Sequence, residues 1–337
     1  MRSQRDFGEA THHPAVRAGF LAPPFESNHS VADSTPRVSI GLPVYNGERF
    51  LPPAIDSLLA QTFKDFELIL SDNASTDRTE QICRDYAACD PRVRYFRNET
   101  NIGPLRNFLR VVELSSAEFF KWAAHDDVYA PDFLERCVEI LDHHPSVAVC
   151  YPRALIIDEQ GNVLKHRTYG IDTSSPRHVH PQERLRDILW IDLGSPPIFG
   201  VIRRSVLNKT PLMLGSYASD QVLLAELALH GRFHEVPGEL LLHREHPHRS
   251  VYTRPTRHSL ATWFDPSQAG RIIFPTWRVA SEYASGIWRA PLNARQRLAC
   301  GKHLFRWTLY HWKELLEDLT TAARQVVTPA ENSQKQI

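Results

Sequence analysis

Runs of apolar residues alternate with stripes of helical spacing along the first half of the chain. The runs predict strands from Arg37 to Asn46, from Phe66 to Asp72 and over Phe119–Trp122. Between and after these runs, apolar residues recur three or four positions apart, which predicts helices. The stripes are Leu51, Ala54, Ile55, Leu58 and Leu59, then Leu105, Phe108, Leu109 and Val112, and then Leu134, Cys137, Val138 and Leu141. Strands and helices that alternate through short connections predict an α/β fold, with a mostly parallel central sheet flanked by helices.

Each of these predicted strands ends in a polar, turn-forming cluster. The first closes at Asn46, the second stops at Asp72 and Asn73, and the third runs into Asp126 and Asp127. Ligands of parallel α/β sheets bind in the crevice outside the carboxyl ends of the strands. We therefore expect these five side chains to lie at one edge of the sheet and to form a site.

The adjacent carboxylates of Asp126 and Asp127 indicate a cation site. Two carboxylates at a strand end repel each other unless a proton or a cation lies between them. Oxygen ligands suit hard divalent cations such as Mg²⁺ or Mn²⁺. The alternative is a solvated turn followed by a helix N-cap, because Pro131 opens a helix soon afterwards. The polar ends of the two earlier strands favour the site.

Beyond Tyr151 the predicted elements are shorter and less regular. The run Val222–Leu229 is apolar nearly all round, which is typical of a buried helix. Ser219 or Asp220, at its start, is suited to be its N-cap. The other predicted elements are a hairpin with its turn at 159–162, a helix from Pro181 to Trp190, an irregular loop that feeds a strand at 195–203, and strands at 233–237 and 240–244.

Composition excludes several classes of protein. The chain has 337 residues, of which 42% are hydrophobic, and this is enough for a substantial core. Its 39 Lys and Arg balance 39 Asp and Glu, so no net basic field indicates a nucleic-acid partner. Five scattered cysteines are typical of buried, reduced thiols in a cytosolic protein. No run of 18 or more apolar residues predicts a membrane span.

The two ends of the chain are polar, and the C-terminal stretch before the last of them is amphipathic. Residues 1–36 are rich in polar residues, Pro and Ala and lack the apolar core of a signal peptide, so we expect them to be a disordered tail, and we expect residues 324–337 to be a frayed tail. Residues 298–319 mix Trp and Leu with Lys and Arg, so they predict an amphipathic helix that could rest on a membrane surface. Alternatively, this helix packs on the rest of the chain or forms a homo-oligomer. The zero net charge favours that second interpretation.

Three histidines lie close together at His243, His246 and His248, beside Arg244 and Arg249. A structural zinc site would need further cysteines or carboxylates at a matching spacing, and the neighbouring sequence supplies none. The segment otherwise predicts a polar loop that closes over a diphosphate, with its arginines as counter-charges.

Five short motifs follow one another in the order and at the intervals seen in one enzyme family. They are Pro43-Val-Tyr-Asn-Gly-Glu48, Ser57-Leu-Leu-Ala-Gln-Thr62, Ser71-Asp-Asn-Ala-Ser-Thr-Asp77, Asn101-Ile-Gly103 and His125-Asp-Asp127. From Val38 to about Tyr151, the sequence resembles the nucleotide-sugar-binding half of the family 2 glycosyltransferases, which have the GT-A fold. The family often has an Asp-X-Asp motif, and Ala124 stands where its first Asp would be.

The resemblance implies roles for the residues at the predicted strand ends. For the nucleotide sugar it implies a site formed by Pro43, Tyr45, Asn46, Glu48, Asp72, Asn73, Asn101 and Asp126, with Arg106 and Asn107 in reach of the diphosphate or the sugar. Arg106 also fits a solvated side chain on a helix face. For a divalent cation, Mg²⁺ or Mn²⁺, it implies Asp126, with Asp127 and a C-terminal histidine, His246, as further ligands. Asp220 would be the catalytic base.

The resemblance also implies a division of the chain and an activity. Residues 37–151 would bind the nucleotide sugar, residues 152–250 would bind the acceptor and carry the base, and residues 251–323 would be a helical extension. The implied activity is an inverting transfer of a sugar to the hydroxyl of a glycan, a lipid-linked or a small-molecule acceptor, in cell-surface polysaccharide or glycolipid synthesis. The expected place is the cytoplasm or the inner face of the plasma membrane.

Two other functions remain open at this point. A sugar nucleotidyltransferase is also α/β and uses a metal, but it has a Gly-rich loop with a basic residue after the first strand, where this chain has Pro43-Val-Tyr-Asn46. A non-catalytic relative would keep the fold and the nucleotide-sugar site without the chemistry, and Ala124 leaves that interpretation open.

Overall fold

The computed structural model describes residues 35–167, 176–190 and 196–327. The strands of this part are β1 (Val38–Val44), β2 (Phe66–Asp72), β3 (Val93–Arg97), β4 (Phe119–Trp122), β5 (Val128–Tyr129), β6 (Val147–Ile157), β7 (Val163–Arg167), β8 (Val201–Arg203) and β9 (Arg232–Arg244). The α-helices are α1 (Leu51–Leu59), α2 (Thr79–Cys89), α3 (Pro104–Glu113), α4 (Phe133–His143), α5 (Pro181–Trp190), α6 (Arg204–Leu207), α7 (Ser219–His230), α8 (Ser250–Thr253), α9 (Arg257–Phe264), α10 (Pro275–Arg289), α11 (Ala294–Tyr310) and α12 (Trp312–Val327). Short 3₁₀ turns lie at Pro176–Val179, Pro196–Phe199 and Pro266–Gln268.

These strands form one sheet in the order β3-β2-β1-β4-β8-β6-β9-β5, with β7 paired to β6. The first four are parallel: Val38 of β1 lies opposite Phe66 of β2 and Phe119 of β4, and Leu68 of β2 lies opposite Val93 of β3. Because β1 has neighbours on both sides and helices pack on the sheet, every residue of β1 is buried. The predicted α/β architecture is confirmed for this half.

The short strand β8 joins this half to the rest of the sheet. It runs antiparallel to β4, with Phe119 opposite Arg203, and antiparallel to β6, with Val149 opposite Ile202. β6 and β9 then pair in parallel, so the sheet as a whole is mixed. The predicted hairpin is present as β6 and β7.

The two strands predicted at 233–237 and 240–244 are a single strand, β9. Pro237 and Gly238 lie at the predicted boundary between them, and Gly238 adopts a positive φ of 103°. Both sides nevertheless pair with the same neighbour, β6, across a shift in register near Pro152 and Arg153. The Pro-Gly pair therefore produces an irregularity in the pairing instead of a turn.

Several elements lack a sequence signal that we recognised. α2 and β3 follow the second predicted strand, and α9 and α10 precede the predicted amphipathic stretch. That stretch, predicted as one helix at 298–319, is divided at His311 into α11 and α12. α12 continues to Val327, past the predicted start of the frayed tail, while the predictions for residues 1–34 and 328–337 lie outside the described residues.

The C-terminal helices pack on the rest of the protein through α10. The buried Glu226 of α7 forms an ion pair with the partly exposed Arg289 of α10 at 2.8 Å. Tyr283 of α10 packs edge-on against Trp307 of α11, with ring centroids 5.4 Å apart. Within the described residues, no helix has both the length and the apolar character needed to cross a membrane. Within the described residues no disulfide joins the cysteines; four of them are buried as predicted, and Cys89 is exposed.

Candidate active site

The loop that follows β1 lies against the loop that follows β2. The Asn46 backbone N–H donates to Ser75 Oγ at 2.9 Å, and Asn46 Oδ1 accepts from the Thr76 N–H at 2.8 Å. Asn46 has a positive φ of 51°, which asparagine tolerates better than most residues. Glu48 continues the contact, because its carboxylate accepts from the Arg78 N–H at 3.0 Å.

The same loop also lies against the residues that follow β4. A Cβ atom at Gly47 would stand 2.9 Å from the His125 ring, so only glycine allows this approach. His125 directly precedes the predicted cation ligands. The three strand-end clusters predicted from the sequence therefore meet at one edge of the sheet.

Asp72 is fully buried and its oxygens already have partners within the protein. Oδ1 accepts from the Ser75 N–H at 2.9 Å, and Oδ2 accepts from the Tyr95 hydroxyl at 3.1 Å. Arg97 Nε lies 3.6 Å from Oδ2. Burial, together with the Asp72 carboxylate, raises the pKa of Tyr95, which keeps its hydroxyl as a donor. Asp72 thus fixes the loop that holds Asn46; its predicted hydrogen bond to the nucleotide stays a prediction.

A network of asparagines lies beside Asp72. Asn73 Nδ2 donates to Asn101 Oδ1 at 2.9 Å, and Asn98 Nδ2 donates to Asn73 Oδ1 at 3.1 Å. Asn107 is buried and its side chain is hydrogen-bonded to Ser71, which makes it part of the framework; its predicted reach to the diphosphate or the sugar stays a prediction. Asn98 was missed because nothing in its sequence neighbourhood distinguishes it from a turn residue.

The remaining predicted donor-site residues differ in exposure. Tyr45 is 44% exposed, and Arg106 is exposed at the start of α3. Pro43 is buried within β1, opposite Ser71. Gly103, with a φ of 84°, leaves room for Pro266, because a Cβ there would stand 2.5 Å from the proline ring. The C-terminal extension therefore touches the segment that carries Asn101.

Asp126 and His246 are brought together from distant parts of the chain. His246 Nε2 lies 3.0 Å from Asp126 Oδ2, and the His246 ring packs on Phe50, with centroids 5.2 Å apart. Burial opposes ionisation of Asp126, but His125, His246 and His243 outweigh it and hold its pKa well below the ordinary value. Asp126 is therefore an ionised carboxylate beside an imidazole.

Asp127 has different partners from its neighbour. It is fully buried, and its carboxylate accepts from the Arg244 N–H at 3.0 Å and lies 3.0 Å from His243 Nδ1. Arg244 in turn donates from Nε to the Asp126 carbonyl at 2.9 Å. These contacts join the end of β9 to the residues that follow β4, and so they place His246 opposite Asp126. The pairing of His243 with Asp127 was not predicted from the sequence.

A buried lysine lies behind this pair. Lys121 of β4 is fully buried, and its Nζ donates to the carbonyls of Phe199 at 2.6 Å and Trp122 at 3.1 Å. The ammonium also stands 4.0 Å from the ring centroid of Tyr129. Burial lowers the pKa of Lys121 to about 7. The burial of Lys121 was not predicted from the sequence, because a lysine within a strand is usually exposed.

Asp220 lies in the first turn of α7. The N-cap residue is Ala218, and no side chain caps this helix end, so neither Ser219 nor Asp220 is the predicted N-cap. Asp220 Oδ1 accepts from the N–H of its neighbour Gln221 at 2.9 Å, while Ser219 donates to the Leu214 carbonyl. The helix begins at Ser219, before the run Val222–Leu229 that predicted it, and this moves Asp220 from the cap into the helix. Its role as a base stays a prediction.

The donor atoms at Asp126 suit a divalent cation only in part. A carboxylate and an imidazole are ligands that Mn²⁺ and Mg²⁺ sites use, but the described residues contain no group of three or more His, Cys, Asp and Glu that could hold a metal ion. His246 Nδ1 is buried and has no hydrogen-bond partner within the described part. The pair therefore fits a cation that takes its other ligands from a bound substrate and from water.

Comparison with known proteins identifies the family of the chain. A family model described as glycosyl transferase family 2 matches residues 39–210. An uncharacterised glycosyltransferase of Rickettsia conorii is 36% identical over 133 residues, which are 38% of this chain and 21% of the relative. One of Methanocaldococcus jannaschii is 30% identical over 132 residues, which are 39% of this chain and 46% of the relative. The chain spans less than half the length of these relatives.

Solved structures share the fold. Staphylococcus aureus TarS 1–349 in complex with UDP-GlcNAc superposes with a TM-score of 0.60 at 19% identity, covering 87% of this chain and 82% of that one. The complex of the same fragment with UDP gives 0.57 at 18% identity, with 81% and 72% covered. The GT-A-type fold is thus confirmed. Because the family model spans about half of the chain and includes the strand-end residues Asn46, Asp72 and Asp126, this protein belongs to glycosyl transferase family 2.

Proposed function

We propose that this protein transfers a sugar from a nucleotide-sugar donor to an acceptor hydroxyl, with inversion at the anomeric carbon. The observation that carries the proposal is the meeting of the loops after β1, β2 and β4, with Asp126 and His246 facing each other at their edge. A parallel sheet binds its ligand at this edge. An ionised carboxylate beside an imidazole is suited to the anionic, cation-bound part of such a donor.

The donor site would extend from Tyr45 to Asp126. The exposed ring of Tyr45 offers a face for the nucleobase, beside Asn46 and Glu48. Asp72 and Asn73 support this pocket from within, because they hold the loops that form it. The binding of UDP and UDP-GlcNAc by TarS, which shares the fold, supports a nucleotide sugar as the donor.

A divalent cation, Mg²⁺ or Mn²⁺, would be held by Asp126 and His246, with the donor diphosphate and water as its other ligands. When bound, it would neutralise the charge that develops on the leaving diphosphate. Asp127 was predicted as a further ligand, but its carboxylate is buried and engaged by His243 and Arg244. We therefore assign Asp127 to positioning the segment that carries His246.

Asp220 is proposed as the base that takes the proton from the acceptor hydroxyl. A positioned carboxylate contributes about 10²–10⁴-fold in such proton transfers. One displacement with one base inverts the anomeric carbon, and its transition state has oxocarbenium character. The acceptor class we propose is a glycan, a lipid-linked or a small-molecule hydroxyl compound of cell-surface polysaccharide or glycolipid synthesis, with transfer in the cytoplasm or at the inner face of the plasma membrane.

Product analysis tests this proposal against its main alternative. The protein is incubated with a panel of nucleotide sugars and Mn²⁺, and the released nucleotide is identified. A glycosyltransferase breaks the bond between the sugar and the diphosphate, so the expected product is a nucleoside diphosphate. In a second incubation, the protein is given a nucleoside triphosphate and a sugar phosphate. Release of pyrophosphate there would instead show a nucleotidyltransferase. The absence of turnover with every donor and acceptor, despite tight binding, would show a non-catalytic relative.

A further inference from the structure

Helix α11 exposes a face that mixes apolar and basic side chains. Leu298, Phe305 and Leu309 are 64%, 63% and 57% exposed. They are spaced seven and four residues apart, so they form one strip along the helix. Lys302 and Arg306 are exposed on the adjacent strip. Large apolar side chains that are this exposed in a row mark an interaction surface.

This face is not needed for the packing of the helix. α11 contacts the rest of the protein through its opposite side, where Cys300 and Trp307 are buried. Trp307 packs on Tyr283 of α10. The helix is therefore already held in place, and its outer face is available to another molecule.

The charge of the face is entirely of one sign. α11 contains four basic residues and no acidic residue. Across residues 251–327 there are eleven Lys and Arg against five Asp and Glu, although the whole chain is neutral. Within the described part, Lys302 and Arg306 form no ion pair, so their charges remain available. The zero net charge of the chain argued against a membrane contact, but residues 251–327 by themselves are basic.

A second apolar strip follows on α12. Trp312, Leu316, Leu319 and Val326 are exposed and are spaced four, three and seven residues apart, so they share one side of this helix. Trp288, at the end of α10, is 73% exposed. Exposed tryptophans beside basic residues are typical of helices that lie in the interface of a lipid bilayer.

We propose that α11, with the strip of α12, docks the protein on an anionic lipid surface. The apolar strip would enter the region of the headgroups and acyl chains, while Lys302 and Arg306 would contact anionic headgroups. A second copy of this chain fits less well, because a two-fold contact would place the basic strip of α11 against itself. A nucleic acid would use the charges but would leave Leu298, Phe305 and Leu309 in water.

Vesicle binding tests the proposal on the full chain. Flotation with phosphatidylcholine vesicles, with and without phosphatidylglycerol, gives the partition coefficient in low and high salt. We expect binding only to the anionic vesicles and a weaker interaction in high salt. Two variants probe the face: Phe305→Ser with Leu309→Ser, and Lys302→Glu with Arg306→Glu. Each should lower the partition coefficient at least about tenfold, since each removes two contacts of the kind that hold such helices on membranes.

Matched controls lie on another exposed surface. Val163→Ser with Leu164→Ser removes exposed apolar residues from β7, and Lys165→Glu with Lys209→Glu reverses two exposed charges elsewhere. Both should bind vesicles like the wild type, and unchanged melting temperatures would show that all four variants fold. The measurement needs neither donor nor transfer, so its outcome is independent of the proposed function.

Several results would overturn the proposal. The first is that the wild-type protein does not bind anionic vesicles, or binds neutral vesicles equally well. The second is full binding by both α11 variants. A wild-type dimer in light scattering that becomes monomeric in the α11 variants would identify the face as a contact between copies, and RNA binding lost in the charge variant would identify a nucleic-acid surface.

Discussion

At the residue scale, Asp126 and Asp127 are adjacent in the sequence but face different partners. Asp126 faces His246 near the open edge of the sheet, whereas Asp127 is buried against His243 and the Arg244 backbone. The sequence pattern predicted that both would lie at a strand end. It did not predict which would be buried, because the partners come from β9, more than a hundred residues away, and only long-range strand pairing brings them there.

The first prediction separates the two aspartates by stability. Asp127→Ala leaves the buried His243 without its counter-charge and the Arg244 N–H without an acceptor, so the free energy of unfolding should fall by about 3 kcal/mol or more. Asp126→Ala should lower it by less, because the Asp126 side chain keeps 16% of its exposure whereas that of Asp127 is fully buried. Urea denaturation of both variants measures this. If both variants lost the same free energy of unfolding, the greater structural role assigned to Asp127 would be contradicted.

The second prediction concerns Asp72. Asp72→Ala should weaken binding of the nucleotide by about 1.5–3 kcal/mol, either by losing a bond to the nucleotide or by releasing the loop at Ser75. Tyr95→Phe is the control, since it removes the hydroxyl partner of Oδ2 but leaves the Ser75 contact in place. Calorimetry should show nearly unchanged affinity for that variant. If Asp72→Ala bound the nucleotide with wild-type affinity, Asp72 would have only a structural role.

At the element scale, the strands and helices with a strong period were predicted well. β1, β2 and β4, and helices α1, α3 and α4, follow the predicted runs and stripes. α2 was missed because its sequence, Thr79–Cys89, is mostly polar and buries only Thr79 and Cys83. The division into two strands at 233–237 and 240–244 was wrong, because both segments pair with β6 as one strand.

The third prediction concerns the buried lysine of β4. The pKa of Lys121 is lowered by burial to about 7, whereas a lysine in an unfolded chain has a pKa near 10.4. Between these values the unfolded chain holds one more proton at this site, so the free energy of unfolding rises with pH. Below that window both states are protonated, and the whole cost of the buried ammonium remains. Lys121→Met removes this dependence.

The free energy of unfolding of the Lys121→Met variant should therefore exceed that of the wild type most at neutral pH and below. Its advantage in the free energy of unfolding should shrink by about 1 kcal/mol for each pH unit above about pH 7. Urea denaturation at three pH values between neutral and moderately alkaline measures the trend. The exposed Lys165→Met is the control and should follow the wild type. Parallel curves for Lys121→Met and the wild type would contradict the lowered pKa.

The fourth prediction concerns Asp220 at the start of α7. No side chain caps this helix, and asparagine can keep the bond to the Gln221 N–H, so Asp220→Asn should retain the wild-type melting temperature. It cannot accept the proton of the acceptor, so turnover should fall by roughly 10²-fold or more. Donor binding should be unchanged, because a base contacts the acceptor.

A matched variant on the same helix controls for structure. Glu226→Gln weakens the ion pair between the buried Glu226 and Arg289, so it should lower the melting temperature while folded protein keeps its turnover. If Asp220→Asn stays within a few-fold of the wild type, the base lies elsewhere. If its melting temperature also falls, the comparison with Glu226→Gln shows how much of the loss is structural.

At the scale of the whole molecule, the net charge of zero did not reveal that charge is distributed unevenly along the chain. The neutral net charge is the sum of a basic C-terminal extension and an acidic remainder. The amphipathic stretch at its end was predicted, but its outward-facing side could be identified only after α10 fixed which side of α11 is buried. The edge where three strand ends meet was predictable, since it follows from the parallel order of the strands.

The central claim is that Asp126 and His246 hold a cation which binds the diphosphate of the donor. The most direct measurement is the melting temperature of the wild type and of Asp126→Asn with a panel of nucleoside diphosphates, in Mn²⁺ and in EDTA, because a ligand of the folded state raises it. We predict that at least one diphosphate stabilises the wild type in Mn²⁺ only, and that Asp126→Asn loses this effect while keeping its unliganded melting temperature. Stabilisation that persists in EDTA, or in Asp126→Asn, would contradict the account.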